Sequence, residues 1–267
     1  MELEGKRVLL SGATGGLGRA IAGELAGQGA VLVLSSSKGD ELDSLAESLP
    51  GGAVRHISVV ADLAEPGAAE DLVERAGDVD GLVANAALPA TGRLENFSSE
   101  EVQRALRVNF ESPILMARAL GPKLAEKGDG HLVFIASLAG KVGSPRSSLY
   151  NATKFGLRGF ALALRDELWG SGVGVSVILP GFIRDAGMFA ASGAKSPAGL
   201  GTSSPEEVGD GVVSAIERDR VEVQVAPLLQ RLGAGFAHRH PQLASRVTRR
   251  NAARIAERVS EGQKGKL

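Results

Sequence analysis

The chain has 267 residues, 43% of them hydrophobic, enough for one sizeable core, and its 36 glycines suit an α/β fold with many tight turns. A formal net charge of -1 gives no global case for nucleic acid, and the lack of cysteine excludes disulfides and thiolate metal sites. The four histidines, at 56, 131, 238 and 240, show no metal-binding spacing, and no stretch approaches the roughly 20 apolar residues of a membrane span, so a cytoplasmic location is expected.

The first predicted element is an apolar run from Arg7 to Ser11. S-G-A-T-G-G-L-G follows, and then a helical pattern with Ile21, Ala22 and Leu25 on one side. Strand, glycine turn and helix in that order form a phosphate cradle. Glycine lets the backbone approach a pyrophosphate closely, and the N–H groups and dipole at a helix start favour its charge. Val31 to Leu34 reads as a second strand, ending in Ser35, Ser36, Ser37 and Lys38 with no acidic residue before Asp40. An acidic side chain at that point binds the adenosine ribose, whereas hydroxyl and cationic neighbours hold a 2′-phosphate. The expectation is therefore NADP(H) over NAD(H), with Ser36, Ser37 and Lys38 as phosphate contacts; the alternative is that these serines only cap the next helix.

A helix near Leu42 to Leu49, a strand from His56 to Ala61 ending in Asp62, a helix from Glu65 to Ala76 and a strand from Leu82 to Ala84 ending in Asn85-Ala86-Ala87 continue the alternation. Such alternation predicts a parallel, doubly wound sheet with right-handed crossovers. Ser98, with Glu100 and Glu101 in the first turn, starts a helix whose apolar pattern runs through Val102, Leu106, Phe110, Ile114 and Leu115. Asn109 lies inside it, where asparagine either distorts the helix or turns its amide toward something useful.

Leu132 to Ala136 reads as the fifth strand, and Ser137 ends it. Beyond a loop of small residues, Tyr150 and Lys154 stand four apart, about one helical turn, so a phenol and an ammonium share a face. Acid–base work near neutrality needs the tyrosine pKa of about 10 lowered by roughly three units, about 4 kcal/mol. A positive charge about 4 Å away at an effective dielectric near 20 supplies roughly that much, although burial opposes it. Tyr150 is the only tyrosine in the chain. The helix carrying it continues through Phe160, Leu164 and Leu168, with Ala161 and Ala163 expected on its outer side as part of a subunit interface.

Val173 to Leu179 alternates as a strand and breaks at Pro180-Gly181. The stretch from about 182 to 204, with Met188, Phe189 and Leu200, reads as a substrate lid. Ser204-Pro205-Glu206-Glu207 restarts a helix, and Val221, Val223 and Val225 alternate as a last strand. From Ala226 onward nine Lys or Arg face only Glu257 and Glu261, a local net of +7 that leaves -8 on the rest. Leu243, Val247, Ile255 and Val259 with Arg246, Arg250, Arg254 and Arg258 describe a basic amphipathic helix. Packing on its own domain or a partner subunit is preferred for it over an anionic membrane surface.

Taken together, the glycine loop with Gly12, Gly16 and Gly18, then Asp62-Leu63, Asn85-Ala86, Asn109, Ser137, Tyr150 with Lys154, and Pro180-Gly181, the chain resembles the short-chain dehydrogenase/reductase family, 3-oxoacyl reductases among them, over about residues 6 to 225. The resemblance implies a single doubly wound Rossmann-type α/β domain over residues 1–225, with a mostly parallel seven-stranded sheet and helices on both faces, and a basic helical extension over 226–267. It implies that Tyr150 exchanges a proton with the substrate oxygen, Ser137 hydrogen-bonds that oxygen, Lys154 lowers the tyrosine pKa and binds the nicotinamide ribose, and Asn109 holds a relay water. The implied cofactor-binding set is Gly12, Thr14, Gly16, Leu17, Gly18, Ser36, Ser37, Lys38, Asp62, Leu63, Asn85, Ala86, Tyr150, Lys154, Pro180, Gly181, Ile183 and Asp185, with no metal. Four positions depart from the family pattern: Ser11 replaces Thr, Ala87 replaces Gly, Ser37 replaces the Arg frequent in NADP-preferring members, and Asp185 replaces a Thr that contacts the carboxamide.

The function expected is hydride transfer between nicotinamide and a ketone or secondary alcohol, with an apolar or 3-oxoacyl substrate suggested by the lid and a dimer or tetramer implied by the family. A non-catalytic cofactor sensor on the same fold is disfavoured because a sensor has no need of the proton-transfer groups. A membrane-associated scaffold working through the basic tail is the third reading.

Overall fold

A computed structural model describes residues 1–246 except 192, 194, 195, 197 and 198. In chain order the elements are β1 (Arg7–Ser11), α1 (Gly16–Gly27), β2 (Val31–Ser36), α2 (Gly39–Ser48), a short α3 (Gly52–Arg55), β3 (Ile57–Val60), α4 (Ala68–Ala76), β4 (Gly81–Ala84), α5 (Ser99–Leu106), α6 (Ser112–Lys127), β5 (Gly130–Ile135), α7 (Ser148–Glu167), β6 (Val173–Pro180), α8 (Gly187–Ala191), α9 (Pro205–Glu217), β7 (Glu222–Val225) and α10 (Leu228–Arg239). The seven strands form one parallel sheet in the order β3-β2-β1-β4-β5-β6-β7. The order reverses between β1 and β4, and the crevice outside the strand carboxyl ends at that point is where such sheets take ligands.

Both faces of the sheet are covered, so its central strands are apolar throughout rather than alternating. Side chains still alternate in direction. Leu9, Leu82, Leu132 and Phe134 pack under α4, α6 and α7 with Met116, Leu120 and Leu157, whereas Val8, Leu10, Leu32 and Val83 pack under α1, α2 and α9 with Ile21, Leu25, Val208 and Val212. Ala161 belongs to the first of these cores. It therefore faces the sheet and not an outer interface, contrary to the sequence expectation, while Ala163 is exposed.

Local chemistry sets the element ends. Ser98 and Glu101 form a reciprocal capping box at the start of α5, with bonds of 3.2 and 2.8 Å. Ser204 caps α9, with Pro205 at its first position. Pro66 and Gly67, the latter at φ 78°, delay α4 to Ala68, three residues after the expected start. His56 is drawn out of β3 because both its ring nitrogens are engaged, Nδ1 accepting from Leu32 N at 3.1 Å and Nε2 paired with the Pro50 carbonyl at 2.9 Å.

Two differences bear on function. The helix expected from Ser98 through Leu115 is broken by a π-helical turn at Arg107–Glu111, centred on Asn109. The basic helix expected around Leu243 to Val259 lies outside the described residues beyond Arg246, and α10, which the sequence did not announce, precedes it.

Candidate active site

The glycine loop is fastened to the end of β4. Ser11 Oγ accepts from the backbone N–H of Asn85 at 3.1 Å and of Ala86 at 3.2 Å, while Asn85 Nδ2 donates to the carbonyls of Ser11 at 3.2 Å and Gly12 at 3.0 Å. The serine that stands in for threonine thus keeps the hydroxyl in use. Gly12 sits at φ 64°, and a Cβ added to it would lie 2.7 Å from the Ala86 Cα, so only glycine fits there. Gly15, at the N-cap of α1, offers no side chain to the first helical N–H groups. A closely approached, side-chain-free helix start fits a pyrophosphate. The turn at Ala186–Gly187 lies close to this loop: an added Cβ on Gly16 would come 2.6 Å from the Ala186 Cβ, and one added on Gly187 would come 3.6 Å from Leu17 Cγ.

At the end of β2, Thr14 Oγ1 and Ser36 Oγ are 2.7 Å apart, and Ser36 Oγ also accepts from Lys38 N at 3.3 Å. Ser37 and Lys38 are exposed. Lys38 Nζ reaches Glu41 Oε1 at 2.8 Å, and Arg19 reaches Glu41 Oε2 at 3.0 Å while its Nε donates to the Thr14 carbonyl. Arg19 therefore joins the expected hydroxyl and lysine set, a cation that sequence reasoning passed over because it lies on the helix after the glycines. Asp62 Oδ1 caps Ala64 N at 2.9 Å and its Oδ2 lies 3.4 Å from Arg104. Leu63 is buried, and its carbonyl accepts from Ser112. Its side chain belongs to the core.

Tyr150 and Lys154 share one face of α7, with the ammonium 5.8 Å from the ring centroid. Lys154 is 2% exposed, and Nζ donates to the Ile135 carbonyl at 2.9 Å. Burial pushes its pKa down to about 8. Burial also pushes the Tyr150 phenol above its ordinary value, with a hydrogen bond to Ser137 pulling partly against it. The net shift is upward, so in the ligand-free protein burial outweighs the lowering that the sequence argument expected from the ammonium. Its charge is turned toward β5.

Ser137 stands at the end of β5, its hydroxyl donating toward the Pro180 carbonyl at 3.3 Å and accepting from Ala139 N at 3.1 Å. Asn109 is fully buried, and both ends of its amide bond Leu88, Oδ1 accepting from N at 2.6 Å and Nδ2 donating to O at 2.9 Å. Asn151, beside the tyrosine, was not anticipated. Its amide donates to the carbonyls of Ala139 at 2.6 Å and Val142 at 2.7 Å and accepts from Ser144 N at 3.1 Å, which pins the loop after Ser137 to α7. Lys141 on that loop and Arg158 on α7 both bind Glu222 of β7, at 3.0 and 2.6 Å.

Downstream, Gly181 N donates to the Val225 carbonyl, and Ile183 is buried and bridged to Ser203, which closes the base of the stretch read as a lid. That stretch contains the short helix α8, and Phe182 and Phe189 pair across it with ring centroids 4.7 Å apart. Asp185 is exposed at φ 64°, its carboxylate 3.4 Å from Arg184. Among the described residues no group of three or more His, Cys, Asp or Glu could hold a metal.

The tyrosine, lysine, serine and asparagine thus stand at the ligand end of a doubly wound sheet, behind a glycine loop. The family model for short chain dehydrogenases matches residues 6–196. The chain belongs to this family. It is an NAD(P)-dependent oxidoreductase of the short-chain type. It is 36% identical over 227 residues to a protein described as ketoacyl reductase HetN from Nostoc sp., covering 84% of this chain and 79% of that one. It is 34% identical to 1-deoxy-11-beta-hydroxypentalenate dehydrogenase from Streptomyces exfoliatus, covering 82% of each chain. Among solved structures, a short-chain dehydrogenase from Sphingobium yanoikuyae in complex with NADPH superposes with a TM-score of 0.77 at 26% identity, covering 90% of this chain and 95% of that one. L-sorbose reductase from Gluconobacter frateurii, complexed with NADPH and L-sorbose, superposes with a TM-score of 0.76 at 26% identity, covering 85% and 97%.

Proposed function

We propose that this short-chain dehydrogenase, with residues 1–225 as its dinucleotide-binding and catalytic unit, uses NADPH to reduce a ketone to a secondary alcohol, and that the substrate is apolar or a 3-oxoacyl compound. Bound nicotinamide supplies the hydride. Gly12, Gly16 and Gly18 with the start of α1 hold the pyrophosphate, and Thr14, Ser36, Ser37, Lys38 and Arg19 form the hydroxyl and cation cluster suited to a 2′-phosphate. Asp62, Asn85, Ala86, Pro180, Gly181, Ile183 and Asp185 line the remaining cofactor positions.

Ser137 orients the carbonyl oxygen by hydrogen bonding, and Tyr150 delivers the proton to that oxygen. Lys154 holds positive charge behind the phenol. Asn109 fixes the Leu88 backbone beside the proton path, and Asn151 keeps the serine loop in register. The observation that carries the reading is the convergence of Ser137, Tyr150 and Lys154 at the ends of β5 and β6, with a side-chain-free helix start nearby. Support for NADPH and for an oxoacyl substrate comes from the relatives: two similar structures hold NADPH, and one relative is described as a ketoacyl reductase. As in the family, a dimer or tetramer is proposed.

A panel of ketones and alcohols followed by nicotinamide absorbance, with NADPH and NADH and with Tyr150→Phe as control, tests this. Turnover with a ketone that is faster on NADPH and absent in the variant is expected. Turnover that survives the variant, or a clear preference for NADH, overturns the reading.

A further inference from the structure

We propose that α10 seats this protein on an anionic lipid surface. The orientation of the helix is fixed from its inner side. Ala234 is buried in the core, and the buried Gln230 accepts from Phe182 N at 3.1 Å through Oε1 and donates to the carbonyls of Leu200 at 3.2 Å and Gly201 at 2.9 Å through Nε2. At about 100° per residue, Leu228, Leu229, Leu232 and Phe236 fall within an arc of about 100° on the opposite side. They are 65%, 57%, 60% and 51% exposed, and Leu243 follows at 49%. A helix laid down only to complete its own domain turns its leucines inward. Here the inner face is small and polar and the apolar face points outward.

Charge selects the occupant. Residues 226–267 carry a net of +7 against -8 on the remainder, and Arg231, Arg239 and Arg246 are interspersed with the exposed apolar residues. An anionic surface therefore attracts this end of the molecule and repels the rest, which sets orientation as well as affinity. Basic residues beside outward-facing leucine and phenylalanine are what an interfacial helix needs. A second copy fits less well. An isologous contact would bring together two sets of Arg231, Arg239 and Arg246, and a helix about 18 Å long and about 10 Å wide offers about 180 Å², short of the roughly 800 Å² per partner of a stable interface. From sequence alone, packing on the domain or a partner ranked ahead of a membrane; the outward leucines reverse that order.

The test is co-sedimentation of the full chain with vesicles of phosphatidylcholine alone or mixed with phosphatidylglycerol, at low and high salt, alongside Leu232→Glu/Phe236→Glu. The expected result is pelleting with the mixed vesicles, weaker by about tenfold or more on the neutral ones and in high salt, and a similar loss in the double variant with its Tm unchanged. The proposal is overturned if the protein stays in the supernatant with the mixed vesicles. It is equally overturned if the double substitution leaves pelleting intact, or if it changes the oligomeric state instead, which would assign this face to another copy of the chain.

Discussion

Asn109, in the π-helical turn that separates α5 from α6, is joined twice to Leu88 beyond β4, amide oxygen to backbone N–H at 2.6 Å and amide nitrogen to carbonyl at 2.9 Å. Replacing Asn109 with alanine leaves a partly buried donor and acceptor on Leu88 without partners, at a cost of about 1–3 kcal/mol. Chemical denaturation should show that loss, and if Asn109 serves the proton path as proposed, turnover at saturating substrate should fall more than substrate affinity does. An equal loss in both kinetic terms would reduce Asn109 to a packing residue.

Because Tyr150 is the only tyrosine, tyrosinate absorbance in a pH titration reads one group. Burial holds its pKa above the ordinary value and the bond to Ser137 moderates the rise, so Ser137→Ala should move the midpoint still higher in the ligand-free protein. A midpoint that falls on removing the serine hydroxyl would contradict the arrangement. Tyr150→Phe should retain the fold and lose turnover by about a factor of a thousand or more.

Lys154 is held near pKa 8 by burial, with a carbonyl as its hydrogen-bond acceptor. Further acceptors brought by a bound dinucleotide favour the charged form, so binding near pH 8 should take up a fraction of a proton and affinity should fall as pH rises through that value. Calorimetry in buffers of different ionisation enthalpy measures the uptake. Lys154→Met should abolish it, and uptake that persists in that variant would place the proton elsewhere.

Glu41 shares Lys38 and Arg19 in the ligand-free protein, at 2.8 and 3.0 Å, and those two cations hold its carboxyl below the usual range. Glu41→Gln frees them for a 2′-phosphate and should tighten NADPH while leaving NADH unchanged. Ser37→Arg should act in the same direction through a bidentate contact. If NADH gains instead in either variant, the phosphate cluster is misassigned.

Burial lowers the His131 pKa to about 4, its Nε2 lying 2.8 Å from Ser176 Oγ, with Asp219 facing it and opposing the shift. The unfolded chain takes up this proton near the ordinary 6.5 and the folded chain only near 4, so stability falls as pH drops across that window and levels below it. The interval corresponds to about 3 kcal/mol. His131→Gln should flatten the decline between pH 6.5 and 4 in denaturation experiments, and an unchanged slope would assign the acid sensitivity to other groups.

The sheet was legible because its strands are apolar runs stopped by glycine, proline or serine, and the quartet of Asn109, Ser137, Tyr150 and Lys154 is proposed as catalytic because its spacing matches a family pattern. The π turn was not, since Leu106, Phe110 and Ile114 keep an unbroken helical period while the backbone beneath them changes pitch. Asn151 and Gln230 gave no signal either: each works by bonding backbone carbonyls that only the fold brings near, and a single polar residue has no period. Helix α10 escaped notice because Gly233 and Gly235 weaken its helical pattern and its leucines point outward.

Ala186 and Gly187 stand so close to Gly16 that a Cβ added there would come 2.6 Å from the Ala186 Cβ, at the helix start proposed to take the phosphates. A dinucleotide seated at that helix start, as proposed, should therefore enter in two stages, the turn lifting before the guest settles. At high nucleotide concentration the observed association rate should reach a plateau set by that turn alone, and a rate that keeps climbing in proportion to concentration would sink the idea.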